Sequence, residues 1–253
     1  MDLKNMKKTI VKIIQIIPVI LLSVLVSCSS VGDESSAKQN FPTRGLEFVV
    51  AFPENYQQGT IELVLHISSE EDTEGTVEIN GIDFETAYTV SADSVTSIII
   101  PTGAMSVASD EVENLGIVIT AERPVAVYCV NRQEYTTDGY LALPVHSLGT
   151  QYYVMSYTPV NSTTGNSLFE IAATQENTTV QITPACASGV HAAGVTYSVV
   201  LNRGQTYQLK ADNDCDITGS RIRSDKPVSV FGGSTLSLVP SGVNAGDHLV
   251  EQM

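Results

Sequence analysis

From Gly45 to the end of the chain, short segments rich in Val, Ile, Thr and Tyr alternate with turn residues, and this pattern limits the fold more than any other feature. In the segment TIELVLHIS, for example, Ile61, Leu63 and Leu65 share one face, because side chains alternate along a strand. No segment carries an apolar stripe with the 3.6-residue period of a long helix. A parallel βαβ sheet is disfavoured, because no helical crossover could cover its faces. The pattern predicts an all-β fold of mostly antiparallel strands.

One phrase of the sequence occurs twice. ITAERPVAVY, residues 119–128, aligns with IRSDKPVSVF, residues 222–231, and the strands upstream of each phrase also match in order. We therefore predict two duplicated β-sandwich-like units packed in tandem, residues 45–148 and 149–253. Since proline cannot donate to a β-ladder, Pro124 and Pro227 are each expected to open a strand. The valines after each proline should face a core. The opposite face of each strand ends in an aromatic residue, and we expect the other unit to cover that face.

Residues 1–27 resemble a bacterial lipoprotein signal peptide. Lysines precede an apolar run from Ile16 to Val26, which is shorter than the roughly 20 residues of a transmembrane helix. The sequence LVSC then resembles a lipobox, in which Cys28 is lipidated and becomes the new N-terminus; an ordinary signal peptide with an incidental cysteine is the alternative. Residues 28–44 are predicted to form a flexible tether. We expect a lipid-anchored protein of the bacterial cell envelope, at the outer membrane or the cell surface.

The formal net charge of the chain is −15. Such an acidic surface repels phosphate backbones, which argues against nucleic acid as a partner. A bilayer with anionic lipids is an equally poor electrostatic match. We therefore expect contact with a membrane through the N-terminal lipid only.

Three cysteines remain beyond the lipobox, and an exported chain can oxidise them. Cys186 and Cys215 lie in polar segments that flank one strand hairpin, so the sequence favours a disulfide between these two. Cys129 ends an apolar strand pattern and is interpreted as a buried free thiol. Spacing alone leaves other pairings open.

The usual signatures of catalysis are missing from the sequence, including G-x-S-x-G, the P-loop, G-x-G-x-x-G and H-E-x-x-H. We therefore predict no enzymatic activity and no cofactor. Two polar loops that carry tyrosines are candidate contact sites, because amphipathic aromatic residues are favoured at interfaces. The candidate binding residues are Tyr135, Asp138, Tyr140, Tyr157 and Asn161. The alternating Asp212, Asp214 and Asp216 form a weak calcium candidate, although the positions that follow depart from an EF-hand loop.

The segments DGYLALPVHSLGTQYYVMSY, FEIAATQENTTVQITP, DITGSRIRSDKPVSVFGGS and DHLVEQM, taken together, resemble the IgGFc-binding protein N-terminal domain family. The resemblance covers roughly Gly45 to the end, and it implies a binding or adhesion module for an extracellular glycoprotein. Members usually continue beyond this point, so we expect the second unit to be incomplete at its C-terminus, in a fragment or a truncated product. The alternatives are a glycan-binding accessory lipoprotein of a polysaccharide-uptake system and, less favoured, a hydrolase with an unrecognised site.

Overall fold

The computed structural model of the chain describes residues 43–56, 59–161 and 163–253. The predicted signal peptide, the lipidation site Cys28 and the tether up to residue 42 lie outside the described residues. The all-β prediction is confirmed, because the described residues form antiparallel sheets joined by turns and short 3-10 segments. No helix within these ranges is long and apolar enough to cross a membrane.

The strands are short, as expected from β-branched and aromatic segments separated by turn residues. In chain order, the described residues form β1 (Gly45–Val50), β2 (Glu62–Ser69), β3 (Thr73–Ile79), β4 (Phe84–Val90), β5 (Ser94–Ile100), β6 (Glu111–Glu113), β7 (Ile117–Arg132), β8 (Thr137–Leu141), β9 (Gln151–Tyr153), β10 (Ser167–Ala173), β11 (Thr178–Thr183), β12 (Tyr197–Leu201), β13 (Thr206–Lys210), β14 (Arg221–Ser224), β15 (Val228–Ser237) and β16 (Asp247–Gln252). Single 3-10 turns occupy Asn80–Ile82, Thr102–Ala104 and Val145–Ser147.

Three sheets form within the described residues. The seven-stranded sheet has the order β4-β3-β7-β2-β5, and β1 and β8 also pair with the long strand β7. The central sheet has the order β16-β15-β10-β13-β6, and the four-stranded sheet has the order β12-β11-β14-β9. All pairings between these strands are antiparallel.

The central sheet contributes to two hydrophobic cores. One core joins the inner face of the seven-stranded sheet, including Phe48 and Val127, to Ala172 and Phe231 of the central sheet. The second core joins the central sheet to the four-stranded sheet, with Ile171, Phe169, Val230, Val180, Ile182 and Ile222. Since adjacent residues of β10 and β15 point to opposite faces, these two strands are buried on both sides.

The repeated phrase adopts a different structure in each copy. Pro227 directly precedes β15, as predicted, whereas Pro124 lies inside β7, so the prediction that it opens a strand is wrong. β7 changes its neighbour from β3 to β2 at this point: pairing with β3 ends at Ala121, and pairing with β2 begins at Val125. Because no ladder hydrogen bond from residue 124 is needed there, the long strand accommodates the proline.

The valines after each proline are buried, as predicted. On the opposite face, Phe231 is fully buried and packs against Tyr140 with ring centroids 5.2 Å apart. Tyr128 at the corresponding position of β7 is 50% exposed, so the predicted cover is missing in the first copy. The central sheet also takes β6 from residues 45–148, while its other strands come from residues 149–253. The division into two duplicated units stays a prediction.

Candidate functional site

The predicted contact tyrosines differ in their exposure. Tyr135, in the turn between β7 and β8, is 75% exposed, and Tyr157 is 37% exposed. Tyr140 is buried, and its hydroxyl donates a hydrogen bond to the main-chain oxygen of Ala51 at 2.6 Å. Burial raises the pKa of Tyr140 well above its ordinary value. The prediction that Tyr140 contacts a partner is therefore wrong, because its position in β8 turns the ring into the core.

The polar members of the predicted loops are used within the protein. The Asp138 carboxylate accepts hydrogen bonds from the amides of Gly139 at 2.8 Å and Val250 at 2.9 Å. It therefore ties β8 to β16, an edge strand of the central sheet. The side-chain oxygen of Asn161 accepts a hydrogen bond from the amide of Thr163 at 3.1 Å, which closes a local turn.

The three candidate calcium ligands do not come together as a metal site. Asp212 accepts a hydrogen bond from the amide of Gly189 at 3.0 Å, whereas Asp216 accepts one from the amide of Thr218 at 2.9 Å. Throughout the part of the chain that the structure describes, no group of three or more His, Cys, Asp or Glu residues could hold a metal ion. The structure gives no support to the weak calcium interpretation of Asp212, Asp214 and Asp216, which stays a prediction.

The cysteines occupy separate environments. Cys186 and Cys215 are joined by a disulfide bond, with their Cα atoms 6.2 Å apart, and it connects the β11–β12 loop to the β13–β14 loop. Cys129 is a buried free thiol in β7. Burial raises the pKa of the Cys129 thiol to about 12, so this residue lacks the thiolate that redox or nucleophilic chemistry requires.

An exposed stripe of large side chains begins at Tyr153, the last residue of β9, and continues beyond the strand. Tyr153 is 70% exposed and Met155 is 61% exposed, and Tyr157 continues the same alternation. Between them, Val154 lies in the second core and the Ser156 hydroxyl donates to a main-chain oxygen of β15 at 2.5 Å. Because the intervening residues are fixed inward, Tyr153, Met155 and Tyr157 are held outward.

Two arginines lie beside this stripe on the outer face of the four-stranded sheet. Arg221 is the cross-strand partner of Tyr153, and Arg223 is the partner of Gln151, so these side chains share one face. Within the described residues, neither arginine forms an ion pair. We call Tyr153, Met155, Tyr157, Arg221 and Arg223 the tyrosine–arginine surface.

The residue types of this surface suit recognition. Tyrosine and arginine dominate interaction hot spots, and methionine is enriched at interfaces. An arginine fork can bind a carboxylate in a bidentate manner, and a tyrosine ring offers an apolar face with a polar edge. The surface can therefore contact a protein or an acidic sugar, but it contains no nucleophile paired with a base.

Sequence reasoning found only Tyr157 of this surface. The alternation in QYYVMSY was a usable signal, because Tyr153, Met155 and Tyr157 are two residues apart on a strand-like segment. The arginines could not be assigned in this way, since their position next to Tyr153 depends on the pairing of β9 with β14.

A histidine and an aspartate also meet, but in a structural cluster. One Asp110 oxygen accepts hydrogen bonds from Nε2 of His191 at 2.8 Å and from the Tyr207 hydroxyl at 2.5 Å. The His191 ring stacks on Tyr197 with centroids 3.5 Å apart. Burial is the main cause that raises the pKa of both tyrosines above the ordinary value. The cluster bonds the segment before β6 to residues of the second half of the chain, and no serine or cysteine of the described ranges is hydrogen-bonded to the imidazole.

Comparison with known proteins points to one family. The model of the family described as IgGFc binding protein matches residues 138–253, which include the whole tyrosine–arginine surface. The curated human protein named IgGFc-binding protein is 25% identical over 214 residues, which covers 82% of this chain and 4% of that relative. The chain thus spans a small fraction of the length of this relative. No solved structure matches the chain.

Proposed function

We propose that this protein is a binding module that recognises an extracellular glycoprotein, because residues 138–253 match the model of the family described as IgGFc binding protein. The observation that carries the proposal is the tyrosine–arginine surface, which lies within the matched residues. The human relative is named for binding the Fc region of IgG, and only the class of partner is transferred to this chain.

The exposed tyrosine–arginine surface supports binding for a physical reason. Tyr153 and Met155 keep more than half of their surface in contact with solvent, and their burial by a partner is favourable at about 25 cal/mol per Å² of apolar area. Arg221 and Arg223 have no ion-pair partner among the described residues, so a partner's carboxylates would not have to displace one.

The proposal includes attachment to the bacterial cell envelope through a lipid on Cys28. Several acyl chains on one cysteine would anchor the protein stably, whereas a single chain binds a bilayer only marginally. The acidic chain itself is repelled by anionic lipids and nucleic acids, so binding would be directed outward from the membrane. The protein acts by binding and not by catalysis.

This proposal is tested by measuring how the purified full chain binds IgG Fc and mucin. The same measurement is made with enzymatically deglycosylated forms of the two glycoproteins. Wild type is expected to bind at least one of the glycoproteins. Tyr153→Ser and Arg221→Gln should each weaken binding by roughly fivefold or more, since truncation of a hot-spot residue costs more than about 1 kcal/mol. Val190→Ser removes an 87% exposed apolar residue outside this surface and is the matched control.

The competing functions give different results in the same set of measurements. Binding to polysaccharide arrays without binding to either glycoprotein would favour the glycan-uptake alternative. Release of product from glycan or peptide libraries would favour a hydrolase. Unchanged affinity in both surface variants would contradict the assignment of the site.

A further inference from the structure

The outer face of the seven-stranded sheet carries two contrasting halves. The first half comprises the outward positions of β3, β4 and the start of β7. Its carboxylates come from Glu74, Glu78, Glu85 and Glu122. Among the outward positions of these strand segments, Lys and Arg are absent, and none of the four glutamates belongs to an ion pair of the described residues.

The arrangement of these glutamates costs stability. Glu78 and Glu85 are direct cross-strand partners, and like charges opposite each other in a sheet are destabilising. A groove of about 560 Å³ runs over the same strands, and its lining includes Glu74, Thr76 and Glu122. A cationic ligand on this half of the face would relieve the repulsion.

The second half of the face carries exposed apolar side chains beside the polar pair His66 and Ser97. It comprises the outward positions of β5, β2 and the end of β7. Val95 is 60%, Ile99 59% and Tyr128 50% exposed. Val64 pairs with both Ile99 and Val130, which places these three side chains in one row. Val64 itself is buried and Ser97 separates Val95 from Ile99, so the exposed apolar side chains form separate contact points, and large exposed side chains on one face are typical of an interaction surface.

The two halves adjoin each other. β7 runs through both, and Glu122 and Tyr128 lie about 20 Å apart along it, at about 3.3 Å per residue. At the sheet edge formed by β4 and β5, the two halves are also joined, because the Thr96 hydroxyl of β5 donates a hydrogen bond to the main-chain oxygen of Thr89 in β4 at 2.6 Å. One extended ligand can therefore contact the acidic half and the apolar half together.

We propose that this face, separate from the tyrosine–arginine surface, docks a basic polypeptide segment that carries lysines or arginines next to apolar side chains. Charge complementarity selects this occupant. A second copy of the chain is disfavoured because each copy has a formal net charge of −15, and an acidic glycan or a nucleic acid would be repelled by the four glutamates.

A peptide that alternates Lys and Ser in its first half and Leu and Ser in its second half is a suitable probe. Its binding to the full chain is measured by fluorescence anisotropy at low ionic strength and at about 0.15 M salt, where exposed charges are screened beyond about 8 Å. A counterpart with Glu in place of Lys is the control peptide. We expect the Lys peptide to bind and to weaken with salt, and the Glu peptide not to bind.

The variants separate binding from folding. Glu78→Gln with Glu85→Gln removes the like-charge pair, so the protein should be at least as stable as wild type while affinity falls by roughly threefold to tenfold. Tyr128→Ser should lower the affinity through the apolar half. The matched controls, Glu176→Gln and Val200→Ser, change an exposed glutamate and a 56% exposed valine outside this face, and should bind as wild type does.

Three results would overturn the proposal. The first is equal binding of the Lys and Glu peptides. The second is unchanged affinity in the Glu78/Glu85 variant. The third is concentration-dependent self-association that these substitutions abolish, because it would identify a second copy as the occupant. Arg221→Gln changes the tyrosine–arginine surface and should leave peptide binding intact. The peptide measurement therefore tests this face independently of whether the protein binds a glycoprotein.

Discussion

Replacement of the buried Glu170 by glutamine should remove a large part of the pH dependence of stability. Glu170 lies in β10 at the middle of the central sheet and is fully buried. One carboxyl oxygen accepts a hydrogen bond from the Ser106 hydroxyl. Burial raises the pKa of Glu170 from 4.5 to about 8, so the folded protein holds this proton at neutral pH.

The sign and the magnitude follow from proton linkage. In the unfolded chain Glu170 ionises near its ordinary pKa of 4.5, so between about pH 4.5 and pH 8 the folded state binds one more proton. The stabilisation is fully present below pH 4.5 and is lost as the pH rises towards 8. One pKa unit corresponds to about 1.4 kcal/mol, so the loss between pH 5 and pH 8 is about 3–4 kcal/mol.

Urea unfolding followed by tyrosine fluorescence measures this effect, because the chain has ten Tyr and no Trp. The difference in unfolding free energy between Glu170→Gln and wild type should shift by about 3–4 kcal/mol over this pH range, in favour of the variant at high pH. The difference between the two proteins is used because His248 acts in the opposite direction. Burial lowers the pKa of His248 to about 4, so its contribution is lost as the pH falls from about 6.5 to about 4. Parallel pH profiles of the two proteins would refute the reasoning.

Three further predictions concern stability. A Cβ at Gly75 would lie 1.9 Å from a main-chain oxygen of β7, so Gly75→Ala should lower the unfolding free energy by about 2 kcal/mol or more, whereas Gly149→Ala, with only ordinary contacts, should change thermal unfolding little. Loss of the Cys186–Cys215 bond should cost about 3–4 kcal/mol in urea unfolding, and an unchanged midpoint after reduction would contradict this. Asp138→Ala should lower stability by about 1–3 kcal/mol through the lost amide contacts but leave glycoprotein binding unchanged, which separate unfolding and binding assays check.

The period of two in the hydrophobic pattern was sufficient to predict the fold class and the inward valines of the repeated phrase. It could not predict the partners of each strand, because pairing depends on contacts far apart in the sequence. Pro124 illustrates this limit: proline excludes a ladder donor, but only the change of neighbour along β7 lets a strand continue through it. Tyr140 illustrates the same limit, since a loop-like segment proved to be a strand with its ring in the core.

The sequence predicts only those residues of the candidate site that lie close together in the sequence. The sequence predicts Tyr157 as a contact residue, because tyrosines in polar loops are favoured at interfaces, and Tyr153 and Met155 lie on the same side of the chain at a spacing of two residues. Arg221 joins them only through the pairing of β9 with β14. The pairing of Glu78 with Glu85 likewise depends on the register of β3 and β4. The composition of the six residues between them does not determine that register.

Site-specific photo-crosslinking tests the binding role of the tyrosine–arginine surface most directly. A benzophenone side chain is placed at position 153 in the full chain, or at position 190 as the exposed control, and each protein is irradiated with IgG Fc and with mucin. We expect a crosslinked product from position 153 with at least one glycoprotein, and none from position 190. Equal crosslinking from both positions, or none from position 153 while wild type binds, would contradict the assignment.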